Sequence, residues 1–185
     1  MMKSKSGFTL VEIIIVLTVI GILAALVIVS YGNVQAKSRD TKRVSDLQNI
    51  ADAISTYRVK FGNDIATGSG CGSGGNGSGW FNETPGAYKS ILTCLTEKGL
   101  LTSAFIDPFG CVSNTDVAAS CKRQGQNYAY YKQTTGSGDT SVTCVYAKLE
   151  ASGSTSDLTS ANPCTTASSS TVATSYGMNY YVLVK

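Results

Sequence analysis

Hydrophobic and polar positions divide the chain into three stretches. Residues 1–7 (MMKSKSG) are polar and carry Lys3 and Lys5. From Phe8 to Val29 the chain is apolar apart from Thr9, Glu12, Thr18 and Gly21, and no charge falls between Glu12 and Lys37. About 20 apolar residues are enough to cross a bilayer as a helix. From Lys37 onward the pattern turns amphipathic. Val44, Leu47, Ile50, Ala51, Ile54, Tyr57 and Phe61 recur at three- and four-residue steps, the spacing of one helical face. Gly62 fits the residue just beyond a helix C-terminus. No proline interrupts residues 8–61. The pattern therefore predicts one continuous helix, about 80 Å long at 1.5 Å per residue.

After Gly62 the periodicity shortens. Residues 66–79 (ATGSGCGSGGNGSG) hold seven glycines and no following Gly-Lys-Ser/Thr, so they are not a phosphate-binding loop. They read as a flexible loop, with Trp80 and Phe81 returning the chain to the core. Ala87, Ile91, Leu92 and Leu95 predict a short helix stopped by Gly99. Asp107-Pro108-Phe109-Gly110 has the residue order of a type I turn. Residues 127–132, 142–149 and 178–184 are rich in Tyr and β-branched residues and predict three strands of a small antiparallel sheet packed on the helix. Residues 151–177 contain 14 Ser/Thr in 27 positions and read as a long polar loop. The expected fold class is α+β.

Composition narrows the function. The chain has 185 residues, roughly one domain, and no histidine. That excludes Ser–His and Cys–His catalysis and any metal site built on imidazole. No paired carboxylates stand at a defensible catalytic spacing, so the chain is not expected to be an enzyme. The net charge of +3 is unevenly placed. Residues 1–60 carry eight Lys/Arg against four Asp/Glu, and residues 61–185 carry seven against eight. The basic excess therefore lies beside the apolar stretch, where Lys37, Arg39, Lys42 and Arg43 read as a solvated helix face near lipid headgroups. Contact with acidic groups of neighbouring copies is the rival reading. The net charge by itself points to no nucleic-acid partner.

Six cysteines, Cys71, Cys94, Cys111, Cys121, Cys144 and Cys164, all follow the apolar stretch. None has C-x-x-C spacing, so zinc and thioredoxin-like readings are weak. An even set confined to one part of the chain reads as disulfides in an oxidising compartment. Fifteen pairings are possible. The most local set is Cys71–Cys94, Cys111–Cys121 and Cys144–Cys164. Charge counting disagrees with this compartment. Two lysines precede the span and four basic residues follow it, which alone would place the body in the cytoplasm. The cysteines place it outside.

Three readings of the N-terminus compete. One is a secretory signal peptide cut after Val34-Gln35-Ala36, which would release a soluble, disulfide-stapled binding domain. Another is a plain membrane anchor. The third rests on the string Gly7-Phe8-Thr9-Leu10-Val11-Glu12, behind a short basic leader and ahead of a long apolar run. This string resembles the processing site of type IV prepilins and of type II secretion pseudopilins. The resemblance implies that residues 1–7 are a leader removed between Gly7 and Phe8 by a prepilin peptidase on the cytoplasmic side. The peptidase would also methylate the Phe8 amine, and the apolar helix would be kept.

The same resemblance assigns residues 8–36 to a transmembrane and filament-core helix, 37–62 to its amphipathic continuation and 63–185 to an extracytoplasmic head. It gives Phe8 and Glu12 an assembly role, the Glu12 carboxylate of one copy pairing with the Phe8 amine of its neighbour. A buried pair stays charged where a lone carboxylate would take up a proton. The turn at Asp107–Gly110 is similar to a turn ahead of the sheet in major pseudopilins, some of which bind calcium in the following loop. Asp107, Asp116 and Asp139 are weak calcium candidates, and no other cofactor is expected. Asn76-Gly77-Ser78 and Asn82-Glu83-Thr84 fit the N-glycosylation pattern by chance-level criteria.

The function expected from these readings is a type IV pilin-like structural subunit. It would wait in the cytoplasmic membrane with its head outside. It would then polymerise with copies of itself and related pilins, through an inner-membrane assembly platform, into a surface filament for adhesion, twitching motility or DNA uptake. A pseudopilin of a type II secretion system is the alternative.

Overall fold

The computed structural model describes residues 7–65, 69–72, 75, 77–84, 86–102, 105–112, 121–123, 126–127, 129–135, 142–151, 164, 172 and 176–185. The chain forms two compact units, Met1–Ser38 and Arg39–Lys185. Helix α1, Leu10–Phe61, contributes to both. As the absence of proline predicts, it is unbroken. It ends where Gly62 takes φ 72° and its N–H bonds the Arg58 carbonyl at 2.8 Å. A left-handed residue at this position favours glycine, which has no Cβ to clash.

In the first unit every residue from Gly7 to Val27 is exposed. The most apolar 18-residue window has a mean hydropathy of 3.2, and none of it is buried. By length and composition this helix can cross a membrane.

The second unit is built on the remainder of α1. Strands β1 (Gly79–Trp80), β4 (Tyr131–Thr135), β5 (Val142–Ala147) and β6 (Tyr180–Val184) form an antiparallel sheet in the order β1-β4-β5-β6. Pairs across the strands include Trp80 with Tyr131, Lys132 with Val145, and Tyr146 with Tyr181. Strands β2 (Lys122–Arg123) and β3 (Gln126–Asn127) form a separate two-stranded ribbon. Helix α2, Ile91–Glu97, starts at Ser90, whose hydroxyl accepts the Thr93 N–H at 3.0 Å. It stops at Gly99, at φ 67°, where the Leu100 N–H reaches back to the Leu95 carbonyl. Ala87, expected in this helix, lies outside it and is exposed.

Strand β5 is buried on both faces because successive side chains alternate sides. Val145 and Ala147 join Leu47, Ile50, Ala51 and Ile54 of α1, together with Ile65, Phe81, Ile91 and Leu95, in the main core. Cys144 and Tyr146 face the opposite way. They pack with Trp80, Cys111, Cys121, Ala129, Cys164, Val172 and Met178 in a second apolar layer. Trp80, Tyr131 and Tyr176 stack within that layer at centroid distances of 4.8–5.4 Å.

Two expectations are corrected here. The strand expected at 127–132 is split: Ala129 and Tyr130 turn into the core and regular pairing runs from Tyr131 to Thr135. The Gly-rich segment is not a loose loop where it is described. Cys71, Gly72, Gly75 and Gly77 are buried, and Gly72 and Gly70 exchange backbone hydrogen bonds with Lys89. A Cβ on Gly72 would stand 2.5 Å from the Ser78 carbonyl oxygen, so close backbone packing explains that glycine.

Candidate assembly site

The N-terminal site is set by a local capping motif. Gly7, Phe8 and Thr9 precede the helix, and Phe8 is 85% exposed, so the Gly7–Phe8 bond is accessible and outside regular structure. Thr9 is the cap. The Glu12 N–H donates to its hydroxyl at 3.3 Å, while Glu12 Oε2 accepts the Thr9 N–H at 2.8 Å and the Thr9 hydroxyl at 2.7 Å. This reciprocal arrangement is a capping box. Glu12 also lies in the first turn, where the helix dipole favours negative charge. Within one copy, then, Glu12 is satisfied by the end of its own helix. The signal is present in the sequence as Thr9-x-x-Glu12 ahead of an apolar run, and it marks Thr9 as a capping residue beside Glu12.

Farther along, Thr18 bonds back to the Ile14 carbonyl. A hydroxyl in an apolar helix is satisfied in this way at little cost. Val34-Gln35-Ala36, the rival cleavage site, lies inside α1.

The second unit departs most from expectation at the basic cluster. Arg43 is fully buried, not a solvated face. Its Nε donates to Asp107 Oδ2 at 2.6 Å, and its Nη1 donates to Asp40 Oδ1 at 2.9 Å and Glu150 Oε1 at 2.5 Å. Arg39 grips the same Glu150 through Nε at 2.8 Å and Nη2 at 2.6 Å. Both guanidinium groups stand against the Phe109 ring, 4.9 and 5.3 Å from its centre. Asp40 in turn accepts the N–H groups of Glu150 and Ala151, fixing the entry to the Ser/Thr-rich segment.

Burial works against the Arg43 charge, but its bonds to Asp107, Glu150 and Asp40 outweigh that and raise its pKa above the ordinary value. Burial likewise opposes the Glu150 charge, and the two arginines still hold its pKa below the usual carboxylate value. The acidic partners of Arg39 and Arg43 are therefore inside the chain. Lys42 pairs with Asp46 at 2.5 Å.

Asp107, a calcium candidate, is committed to Arg43 and to the Phe109 N–H at 2.8 Å. That corrects its reading as an open oxygen ligand. The Asp107–Gly110 turn itself forms, closed by a 2.7 Å bond from Gly110 N–H to the Asp107 carbonyl. Asp116 and Asp139 lie outside the described residues, as does Asn76. The described residues contain no group of three or more His, Cys, Asp or Glu that could hold a metal. Asn82 donates its amide to the Phe105 carbonyl at 2.8 Å, so its side chain is turned toward the protein.

Three disulfides staple this unit: Cys71–Cys94, Cys111–Cys121 and Cys144–Cys164. The first ties the Gly-rich segment to α2. The third ties β5 to the middle of the Ser/Thr-rich segment. Near the end of that segment, Asn179 clamps Leu149 by accepting its N–H at 2.7 Å and donating to its carbonyl at 3.1 Å. A buried lysine adds a further tie. Lys132 Nζ donates to the Gly77 carbonyl at 2.6 Å and to Thr134 at 3.0 Å, and stands 3.8 Å from Asp64. Burial pulls its pKa down to about 8, against the opposing influence of Asp64.

A capped, fully exposed apolar helix and a separate disulfide-stapled α+β unit define a pilin-like architecture. Residues 2–28 match the prokaryotic N-terminal methylation motif, and the resemblance of Gly7–Glu12 to type IV pilins and pseudopilins is borne out on that segment. Curated relatives come from both branches. The chain is 42% identical over 52 residues to a fimbrial protein of Pseudomonas aeruginosa, covering 28% of this chain and 34% of that protein. It is 45% identical over 56 residues to the type IV major fimbrial protein FimA of Dichelobacter nodosus, covering 30% and 36%. It is 35% identical over 57 residues to the type II secretion system core protein G of Aeromonas hydrophila, covering 31% and 40%. The chain thus spans about a third to two fifths of the length of these relatives. No solved structure matches.

Proposed function

We propose that this protein is a structural, non-catalytic subunit of a surface filament of the type IV pilus kind. The observation that carries the reading is the methylation motif over residues 2–28, placed on an apolar helix whose side chains are all exposed from Phe8 to Val27. A prepilin peptidase removes residues 1–7 at the accessible Gly7–Phe8 bond and methylates the new Phe8 amine. The subunit waits in the cytoplasmic membrane with residues 63–185 outside, where its disulfides persist. An inner-membrane platform then moves it into a filament in which neighbouring apolar helices cover one another.

Glu12 changes partner in this process. In the lone chain it caps its own helix through Thr9. In the filament it meets the Phe8 amine of the next copy. That exchange keeps the carboxylate satisfied in both states and fixes the register of the incoming subunit. Adhesion, twitching motility and DNA uptake are the roles open to such a filament.

A pseudopilin of a type II secretion system is the second reading, favoured by the relative of that class and by the Asp107–Gly110 turn. Deleting the gene separates the two. Loss of sheared surface filaments with normal protein export supports the pilus. Loss of export with filaments intact supports the pseudopilus. Export and filaments both unchanged would contradict both readings.

A further inference from the structure

The four-stranded sheet ends on two unequal edges, β1 and β6. Strand β1 is two residues long and offers little backbone for pairing. Strand β6 is five residues long (YYVLV) and has no proline, glycine or charge within it. Those are the residues with which natural proteins blunt an open edge. Along an antiparallel strand, alternate residues aim their backbone N–H and C=O groups away from the neighbouring strand. Among the described residues no strand pairs with β6 on its side away from β5. Helix α1 bonds only to the end of this segment. Arg58 donates to the Val184 carbonyl at 3.4 Å, and Ser55 donates to the Lys185 carbonyl at 2.7 Å.

A groove of about 380 Å³ runs beside β6, lined by Ala51, Asp52 and Ser55 of α1 and by Val182 and Leu183 of the strand. Leu183 is 37% exposed, unlike the other residues of β6. Asp52 is exposed; the Gln48 amide meets it at 3.1 Å, and among the described residues no cation pairs with its carboxylate. The chemistry of this edge selects its occupant. A row of open ladder donors and acceptors is satisfied by another extended backbone, whose alternate side chains then reach whatever lies beside the edge. Here the apolar wall of Ala51, Val182 and Leu183 suits an apolar side chain, and Asp52 suits a basic one.

We infer that the free edge of β6 takes up an extended segment of a partner protein as a further strand of the sheet, with an apolar side chain in the groove and a Lys or Arg beside Asp52. Main-chain pairing along the edge supplies the affinity, and the groove with Asp52 supplies the selection. The inference goes beyond the filament reading and does not rest on it. It concerns a contact of the second unit with a different chain, and it holds equally for a pilus and for a pseudopilus subunit.

The test uses the full disulfide-bonded chain in non-ionic detergent. The probe is a heptapeptide with blocked ends, alternating valine and threonine between a lysine at each terminus. A comparison peptide with the same side chains is N-methylated on two adjacent central nitrogens, which removes a donor from both of its edges. Amide hydrogen exchange reads the site residue by residue. With the probe at about 1 mM, the alternate β6 amides that exchange fast in the free chain should slow by about ten-fold or more. The N-methylated peptide should bind about ten-fold or more weakly, because it has lost ladder hydrogen bonds. The D52K chain, checked for unchanged protection of β5, should bind the probe about three-fold or more weakly. Equal binding of the two peptides, unchanged binding by D52K, or no slowing at β6 would each overturn the inference. So would β6 amides that are all as slow as those of β5 in the free chain, because the edge would then already be covered by the chain itself or by a second copy.

Discussion

The two halves of α1 obey opposite rules. From Phe8 to Val27 every side chain is exposed, and among the described residues the carboxylate of Glu12 is met by the helix terminus it caps. From Arg39 onward the same helix buries an arginine completely and surrounds it with Asp40, Asp107 and Glu150. The second half has found partners for its buried arginine within the chain. The first half has found none for its apolar surface, and so large an exposed apolar surface marks a place that something else must cover. The difference teaches that stability and assembly are separable here, carried by different turns of one helix.

Substitutions should respect that division, beginning with the largest effect. Glu12→Val is expected to abolish filament assembly almost entirely, read as sheared filament yield, while the melting of the second unit stays unchanged. Arg43→Met is expected to do the reverse. It removes the cation that Asp40 and Asp107 meet in the interior, while Glu150 keeps Arg39, and breaking a buried ion cluster from one side costs about 3–5 kcal/mol. Thermal unfolding of the full chain in detergent would read that loss, and equal melting of the variant and native chains would contradict the account of the cluster.

Replacing Cys71 and Cys94 together by Ser is expected to cost about 2–4 kcal/mol by the same measurement. The smallest effect is a dependence on pH. The Lys132 pKa is depressed to about 8 in the folded protein, below its unfolded value of about 10.5. The unfolded state therefore binds more protons between those values, and this group makes stability rise with pH across that window. Lys132→Met should remove that rise, checked by melting temperatures between pH 7.5 and about 10.5.

Much of this contrast was legible in the sequence. The apolar run, the absence of proline and Gly62 define α1 without reference to tertiary contacts. Strands β5 and β6 follow from their Tyr and β-branched residues, and the disulfides join neighbouring cysteines. The buried ion cluster was not legible. Lys37, Arg39, Lys42 and Arg43 have the appearance of a solvated face because their partners lie far along the chain: Asp107 is 64 residues from Arg43 and Glu150 is 107. Local periodicity carries no information about such pairings. The same holds for the Gly-rich segment. Its composition says flexible, and it packs because Lys89 and Lys132 supply hydrogen-bond partners from elsewhere. At the N-terminus the capping box was fully local and could have been read from Thr9 and Glu12 alone.

The central claim is that the exposed half of α1 is retained and used for assembly, and the chain's own N-terminus reports on it most directly. Intact mass and N-terminal sequencing of the protein from its native cells should find an N-methylated Phe8 as the first residue. A chain beginning at Lys37 would contradict the account, because the apolar helix would then have been discarded and the protein released as a soluble domain.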